Sequence, residues 1–523
     1  MNQHTRRSDR NILVALVCHV LFPACDVSAD QPQWGRAWTR NMVSDATGLI
    51  EDFDPATGRN VRWVVPLGTE TWATPIVAQG RVFIGTNNRP PRDPRHRGDR
   101  ALLLCLDEND GRLLWQSVVP KLGPDPYLDW PGSGFCSPVT VEGDRVYVVN
   151  NRGEAMCLDI EGQRNGNQGP FLDEGRHMVP EGEPPIEVAE TDGDIIWLFD
   201  IHKETGTYPH DGAHSSILID GDFLYMNTGN GVDNTHRVIR RPDGPSLIVL
   251  DKHTGRYLAR DDERIGPRIF HCTWSSPSMG VVNGCKQIFF GGGDGVLYAF
   301  EPLEAAWRGR PALANAEQGQ DALATGTVAT LKRIWRFDPD PAAPKENVSD
   351  YLRNREVSPS VIKGMPVFHE NRLYFTYGGD IWWGKRQAWL ACIDATKTGD
   401  LTDSALVWSY ELNEQSCSTP AIHDGLAFIV DCGRTIHCVD IETGQALWTH
   451  ETQGEIWASP LVADGKLYIG TKRRDFWILA AGREKKVLSE TRLDSPISAS
   501  PIAANGVVYV ATMRNLYALQ ASP

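Results

Sequence analysis

The chain has 523 residues, 17 tryptophans and a net charge of −15, a length that accommodates about two to four ordinary domains or one large closed repeat ring. Abundant glycine and proline with no long apolar helical period exclude a helical bundle and point to an all-β protein. The acidic balance disfavours nucleic acid as a partner, because carboxylates repel phosphates.

In chain order, Arg6, Arg7 and Arg10 precede an apolar run from Ile12 to Phe22 and the small-x-small triplet Val27-Ser28-Ala29. That pattern reads as a secretory signal over residues 1–29, which places the mature chain in the periplasm or outside the cell. The run is too short to stay in a bilayer as a helix, and the sequence offers no other transmembrane segment. Cys25 follows Leu21-Phe22-Pro23-Ala24, an imperfect lipoprotein box, so a lipid anchor at Cys25 is the alternative. Residues 30–58 form an N-terminal extension ahead of a single repeat domain over 59–523.

The repeat is plainest in Ser418–Trp448, which reads as three short strands, an Asp-Ile-Glu-Thr-Gly turn and a tryptophan opening a fourth strand. Eight units begin with a similar pair: Thr74-Pro75, Ser137-Pro138, Ser215-Ser216, Ser276-Pro277, Ser358-Pro359, Thr419-Pro420, Ser459-Pro460 and Ser500-Pro501. Each is followed by a strand centred on Tyr or Phe, such as RVFIG, RLYFT or KLYIG. Four strands per unit, with late units about forty residues apart, match an eight-bladed β-propeller of four-stranded antiparallel blades. The last unit stops at its third strand, Asn515–Leu519, while Asn60–Val65 is an orphan strand at the start. Pairing them in the last blade closes the ring and removes two exposed edges. Insertions over 87–100, 162–191, 233–245, 304–331 and 339–356 lie outside the repeat.

Nine cysteines remain beyond the signal. Cys105, Cys157, Cys392 and Cys438 occupy equivalent strand contexts, too far apart to pair with one another, and read as small buried apolar residues. A bridge within one hairpin, Cys432 to Cys438, stays open.

Aligning the units on the Ser/Thr-Pro pair yields two columns at the channel mouth. Four residues earlier stand Glu70, Asp211, Asn354, Gln415 and Glu455 among others; two residues earlier stand Trp72, Phe135, Ala213, Trp274, Glu356, Cys417, Trp457 and Ser498. Period-two alternation places both columns on one side of their strands. Aromatic rings with convergent carboxylates suit a flat cofactor or a sugar. Asp211, His214 and Glu356 are the catalytic candidates. Glu70, Trp72, His210, Trp274, Asn354, Cys417, Glu455 and Trp457 are the binding candidates. In Tyr208–His214 two histidines flank Asp211, and with His271 they offer weak metal ligands (His210, His214, His271) or a general acid/base.

The Asp-x-x-Thr-Gly-x-x-x-Trp signature of Asp440–Trp448, loosely repeated in Asp107–Trp115, resembles the PQQ-type propeller repeat. Segments such as HDGAHSS (210–216), FHCTWSSP (270–277) and GGDIWWGK (378–385) are similar to those of secreted bacterial PQQ-binding-like repeat proteins. The wider group spans quinoprotein alcohol dehydrogenases and an outer-membrane assembly lipoprotein that binds no quinone. The resemblance therefore implies either a binding or scaffolding module, or an alcohol or sugar dehydrogenase using pyrroloquinoline quinone (PQQ) and calcium. The quinone enzymes use a vicinal cysteine pair, and this sequence has no adjacent cysteines. It also lacks a Cys-x-x-Cys-His haem motif. Those departures favour a binding module facing envelope proteins or a small polar or aromatic ligand, with the dehydrogenase as runner-up and chemistry at the His210/His214 loop third.

Overall fold

The computed structural model describes Met1 and residues 29–123, 125–304 and 328–521. Residues 2–28 of the proposed signal, Cys25 among them, and most of the insertion over 304–331 lie outside them.

Eight small sheets form an eight-bladed propeller. Their inner strands are Ile76–Ala78, Thr140–Glu142, Leu218–Asp220, Ser278–Val282, Val367–His369, Ala421–His423, Leu461–Ala463 and Ile502–Ala504, numbered here as blades 1 to 8. Blade 6 is a simple meander of Ala421–His423, Leu426–Val430, Thr435–Asp440 and Ala446–Glu451. Its second strand is buried at every position, whereas its outer strand alternates and is mostly exposed. The difference follows from stacking: middle strands have a neighbouring blade on both faces, so every side chain is apolar or satisfied. Eight hydrophobic clusters accordingly each mix two blades, as where Trp63, Val82, Ile502 and Tyr509 pack together across the seam of blades 8 and 1.

The expected closure is present. Val61–Pro66 pairs antiparallel with Asn515–Leu519, supplying the outer strand of blade 8. Trp63 lies at a bulge in that pairing and donates from Nε1 to the Glu108 carbonyl of blade 1, at 3.0 Å. The same staple recurs around the ring: Trp115 Nε1 reaches Ile160 O at 2.9 Å, Trp197 reaches Lys252 at 3.0 Å, Trp408 reaches Ile441 at 2.8 Å and Trp448 reaches Gly482 at 2.9 Å. This explains why Gly and Trp travel together in the signature. Gly444 has φ +70 and a Cβ there would stand 2.7 Å from the Trp408 ring, so the glycine serves the turn and makes room for the tryptophan of the preceding blade.

The Ser/Thr before several inner strands latches neighbouring blades. The backbone N–H of Ser216 donates to Ser276 Oγ at 2.9 Å, Thr419 to Ser459 Oγ at 3.0 Å, and Ser459 to Ser500 Oγ at 2.9 Å. In blade 5 the equivalent donor is Met365, whose N–H bonds Thr419 Oγ1 at 2.9 Å. Ser358-Pro359 therefore does not begin blade 5, as the sequence suggested. That pair belongs to the preceding insertion, and the blade begins at Val367, with Glu370 and Asn371 in positive φ making the turn that glycine makes elsewhere.

The extension after residue 29 threads the ring. From Gln31 to Ser44 it touches the second residue of every inner strand in blade order. Gln31 bridges Val77, Val141 N–H donates to Pro32 O at 2.8 Å, and Trp38 Nε1 donates to Ile219 O at 3.2 Å. Met279 N–H donates to Trp38 O at 2.7 Å and Phe368 N–H to Thr39 O at 3.2 Å. Asn41 pairs with Ile422 through two 2.8 Å bonds, Val462 N–H donates to Met42 O at 3.0 Å, and Ser44 Oγ donates to Ala503 O at 2.7 Å. Inner-strand edges need partners, and this segment supplies them while filling the axis. At its centre Arg40 is fully buried.

Candidate functional site

Each inner strand is preceded by a segment that descends along the axis, and the residue four before the strand faces inward. The eight such residues are Trp72, Cys136, His214, Trp274, Lys363, Cys417, Trp457 and Ser498, one from each blade, and all of them border a single axial cavity of about 510 Å³. Trp34 of the threaded segment borders it too, beside Thr74, Pro138 and Ser500, and Tyr127, Trp130, Trp382 and Trp383 border it from loops. Trp130 is 44% exposed and marks the mouth.

The sequence columns are thus corrected by one residue in two blades and by seven in another. Cys136 and His214 take the inward places, while Phe135 and Ala213 are buried in the packing between blades. In blade 5 the inward residue is Lys363; Asn354 and Glu356 are exposed and do not border the cavity. Glu455 is also exposed, with its carboxylate 3.5 Å from Lys472. Of the remaining candidates, Glu70, Trp72, Asp211, His214, His271, Trp274, Cys417 and Trp457 are brought together at the cavity, and His210 is wholly buried behind it.

The aromatic wall is continuous. Trp72 and Trp457 have ring centroids 6.0 Å apart, Trp457 and Trp382 5.6 Å, and Trp382 and Trp274 5.6 Å with an 89° angle. Edge-to-face contacts of this kind fix ring orientation. The Trp72 indole N–H donates to Glu70 Oε2 at 3.3 Å. Lys363 places its ammonium 4.0 Å from the Trp274 ring centre and 4.7 Å from that of Trp382.

Lys363 is buried, and its charge is met by Asp380 at 2.8 Å. Burial alone would raise the Asp380 carboxyl, but the Lys363 charge and His271 overturn that and hold it far below the usual carboxylate range. Asp380 also accepts from His271 Nδ1 at 3.0 Å and from the backbone N–H groups of Trp382 and Trp383 at 3.0 Å each. One carboxylate therefore sets the lysine, a histidine and two wall tryptophans.

Asp211 has φ +64, and its N–H is held by Tyr127 O at 2.7 Å. Burial pushes its carboxyl up, partly offset by His271 and Lys363. Burial also pushes His214 down to about 4, so it faces the cavity as a neutral imidazole at neutral pH. Cys417 lies against Cys432, which belongs to the turn after the second strand of blade 6. The Cys417 thiol is drawn below its ordinary range first by a hydrogen bond with the Cys432 thiol, with Lys363 and Lys472 adding to the effect. All nine described cysteines are unbridged; Cys105, Cys157, Cys392 and Cys438 are buried, and Cys432 faces Cys417 rather than Cys438.

His210 and His271 meet a histidine that the sequence columns did not include. His236 lies on the loop after the second strand of blade 3, and its ring centroid is 4.6 Å from that of His210 and 5.6 Å from that of His271. His214 packs on Trp274 instead, at 4.9 Å. Lys363 was hidden because Ser358-Pro359 imitates a blade start. Counting back from Arg372–Gly378, the strand that follows the turn, places the inner strand at 367–369 and would have found it.

The crystal structure of BamB from Moraxella catarrhalis is similar over 87% of this chain and 96% of its own, at 12% identity and a TM-score of 0.50. A europium-containing methanol dehydrogenase is similar over 93% of this chain and 90% of its own, at 12% identity and a TM-score of 0.56. At that identity both likenesses are of fold alone. A search of curated proteins finds no significant match. No helix among the described residues is long and apolar enough to cross a membrane. The PQQ_2 family model, described as outer membrane protein assembly factor BamB, matches residues 46–331 and 324–521, so the chain belongs to that family of PQQ-like β-propeller repeat proteins.

Proposed function

We propose that this protein is an extracytoplasmic binding module whose axial cavity takes a small polyhydroxylated ligand of the sugar class. The observation that carries the reading is the convergence of one residue from each of eight blades on a blind cavity walled by tryptophan. Tryptophan faces stack on the C–H faces of a pyranose, and Glu70, Asp211, His214 and Ser498 supply hydrogen-bonding groups for hydroxyls. The family match and the signal-like N-terminus support an envelope setting.

Quinone and calcium fit less well. Calcium takes about six to eight oxygen ligands. Glu70 and Asp211 reach the cavity, but Asn354, Glu356 and Glu455 are exposed outside it, and no three carboxylates converge among the described residues. No step through a bound quinone is derived from this donor set.

The test is calorimetric titration with mono- and disaccharides, a polyol series, and PQQ with calcium. At least one saccharide is expected to bind, and Trp457→Ala is expected to weaken it about tenfold, or about 1.4 kcal/mol. Saccharide affinity unchanged in Trp457→Ala overturns the assignment to the cavity. PQQ binding accompanied by dye reduction would replace it with the dehydrogenase reading.

A further inference from the structure

His210, His236 and His271 are all buried, and one ring nitrogen of each lies within 4.8 Å of those of the other two. They come from three separate segments, the loop entering blade 3, the loop after its second strand, and the loop entering blade 4. His210 Nδ1 lies 2.8 Å from the Val232 carbonyl, an acceptor only, so Nδ1 carries the proton and Nε2 presents a bare lone pair. His271 Nδ1 lies 3.0 Å from the Asp380 carboxylate, which fixes the same tautomer, and its Nε2 is buried with no partner. His236 Nε2 stands 3.1 Å from His210 Nε2, and the ring also bonds the Asn234 backbone.

The Nε2 atoms of His210 and His271 thus turn lone pairs into one buried space, where a cation would join them. The His210–His236 separation suits a metal. Two nitrogens each about 2.05 Å from zinc lie about 2.9 Å apart at a right angle and about 3.3 Å apart at the tetrahedral angle. The 3.1 Å separation falls between. The outer nitrogens are held by a carbonyl and a carboxylate, the usual second partners of metal-bound histidine. Lys363 nearby would oppose a cation, but Asp380 neutralises it at 2.8 Å.

We propose that His210, His236 and His271 form a three-histidine site for a divalent transition metal of the zinc class, with its fourth position open to the axial cavity. His236 and His271 border that cavity, and Asp211 Oδ1 lies 3.7 Å from His210 Nε2, where it would accept a hydrogen bond from a metal-bound water or ligand hydroxyl. Three imidazoles with one open position is a ligand set that polarises an oxygen, so the site would orient or activate one group of whatever enters the cavity. The proposal does not depend on that ligand being a sugar.

The experiment uses the full chain without a histidine tag, stripped by dialysis against a chelator and titrated with zinc or cobalt. Elemental analysis after desalting is expected to give one metal ion per chain, and cobalt to give visible absorption bands of a low-coordinate site. His236→Ala and His271→Gln are expected to lose the bound metal, whereas His214→Ala, which borders the cavity outside the cluster, should retain it. Circular dichroism of each variant separates lost binding from lost folding, and His236→Ala, on a loop, remains informative if His271→Gln does not fold. Metal at trace level in the wild type, or retained in full by folded His236→Ala, overturns the proposal.

Discussion

Replacing Arg40 with alanine is expected to destabilise the protein by about 3–5 kcal/mol. The guanidinium is completely buried, and its bonds run to neutral oxygens: Pro277 O at 3.0 Å, Trp34 O at 3.2 Å, and Ser216 O and Oγ at 2.9 and 3.0 Å. Burial pushes its pKa down to about 9, so the charge itself is costly. What the residue returns is satisfaction of carbonyls in blades 3 and 4 and in the threaded segment. Alanine leaves three backbone acceptors unpaired at about 1–3 kcal/mol each, offset by relief of the buried charge, and opens a void. Arg40→Met fills the space without the bonds and should fall between alanine and wild type. The measurement is the guanidinium midpoint of unfolding, with acrylamide quenching to report whether Trp34 becomes accessible. An unchanged midpoint in Arg40→Ala would mean that the threaded segment does not stabilise the ring.

Asp380→Asn is expected to cost about 3 kcal/mol or more, because it leaves the Lys363 ammonium buried without its counter-charge. Asparagine keeps an oxygen for the Trp382 and Trp383 N–H groups, so the turn survives and the loss reports the unpaired charge together with the His271 bond. The rings of Trp274 and Trp382 soften the penalty by about 1–2 kcal/mol at most. Adding Lys363→Met should recover most of the loss, since an apolar pair of similar volume often replaces a buried ion pair without cost. The variant also acquires a distinctive pH response. In the wild type burial would lower Lys363, but Asp380 more than compensates and holds it above its ordinary value. Without Asp380, burial pulls the folded-state pKa below the unfolded value of about 10.4, so the unfolded chain binds more protons in that window and stability climbs as pH rises. A single variant as stable as wild type, with no such climb, would show that Lys363 reaches solvent.

The ring was legible because its logic is local. The Ser/Thr-Pro pairs latch adjacent blades, and the Thr-Gly-x-x-x-Trp spacing encodes a staple from one blade to the next turn. The closing strand was found by counting what the last unit lacked. The threaded segment from Gln31 to Ser44 was not legible, since it joins the inner strands mainly through backbone groups and carries no period. Lys363 was missed because a Ser-Pro pair five residues earlier supplied a false start. The joining of His236 to His210 was not legible, because 26 residues separate them and only the fold brings the two rings together. The place of Trp382 and Trp383 at the cavity was not legible either, because it depends on the turn that Asp380 caps.

A crystal structure of the protein soaked with the tightest saccharide from the titration tests the central claim most directly. The account predicts the ligand in the axial cavity, stacked on the face of Trp72 or Trp457, with a hydroxyl in hydrogen-bonding distance of Glu70 or Asp211. A ligand seated on the outer strands, with the axial cavity empty at saturation, would contradict it.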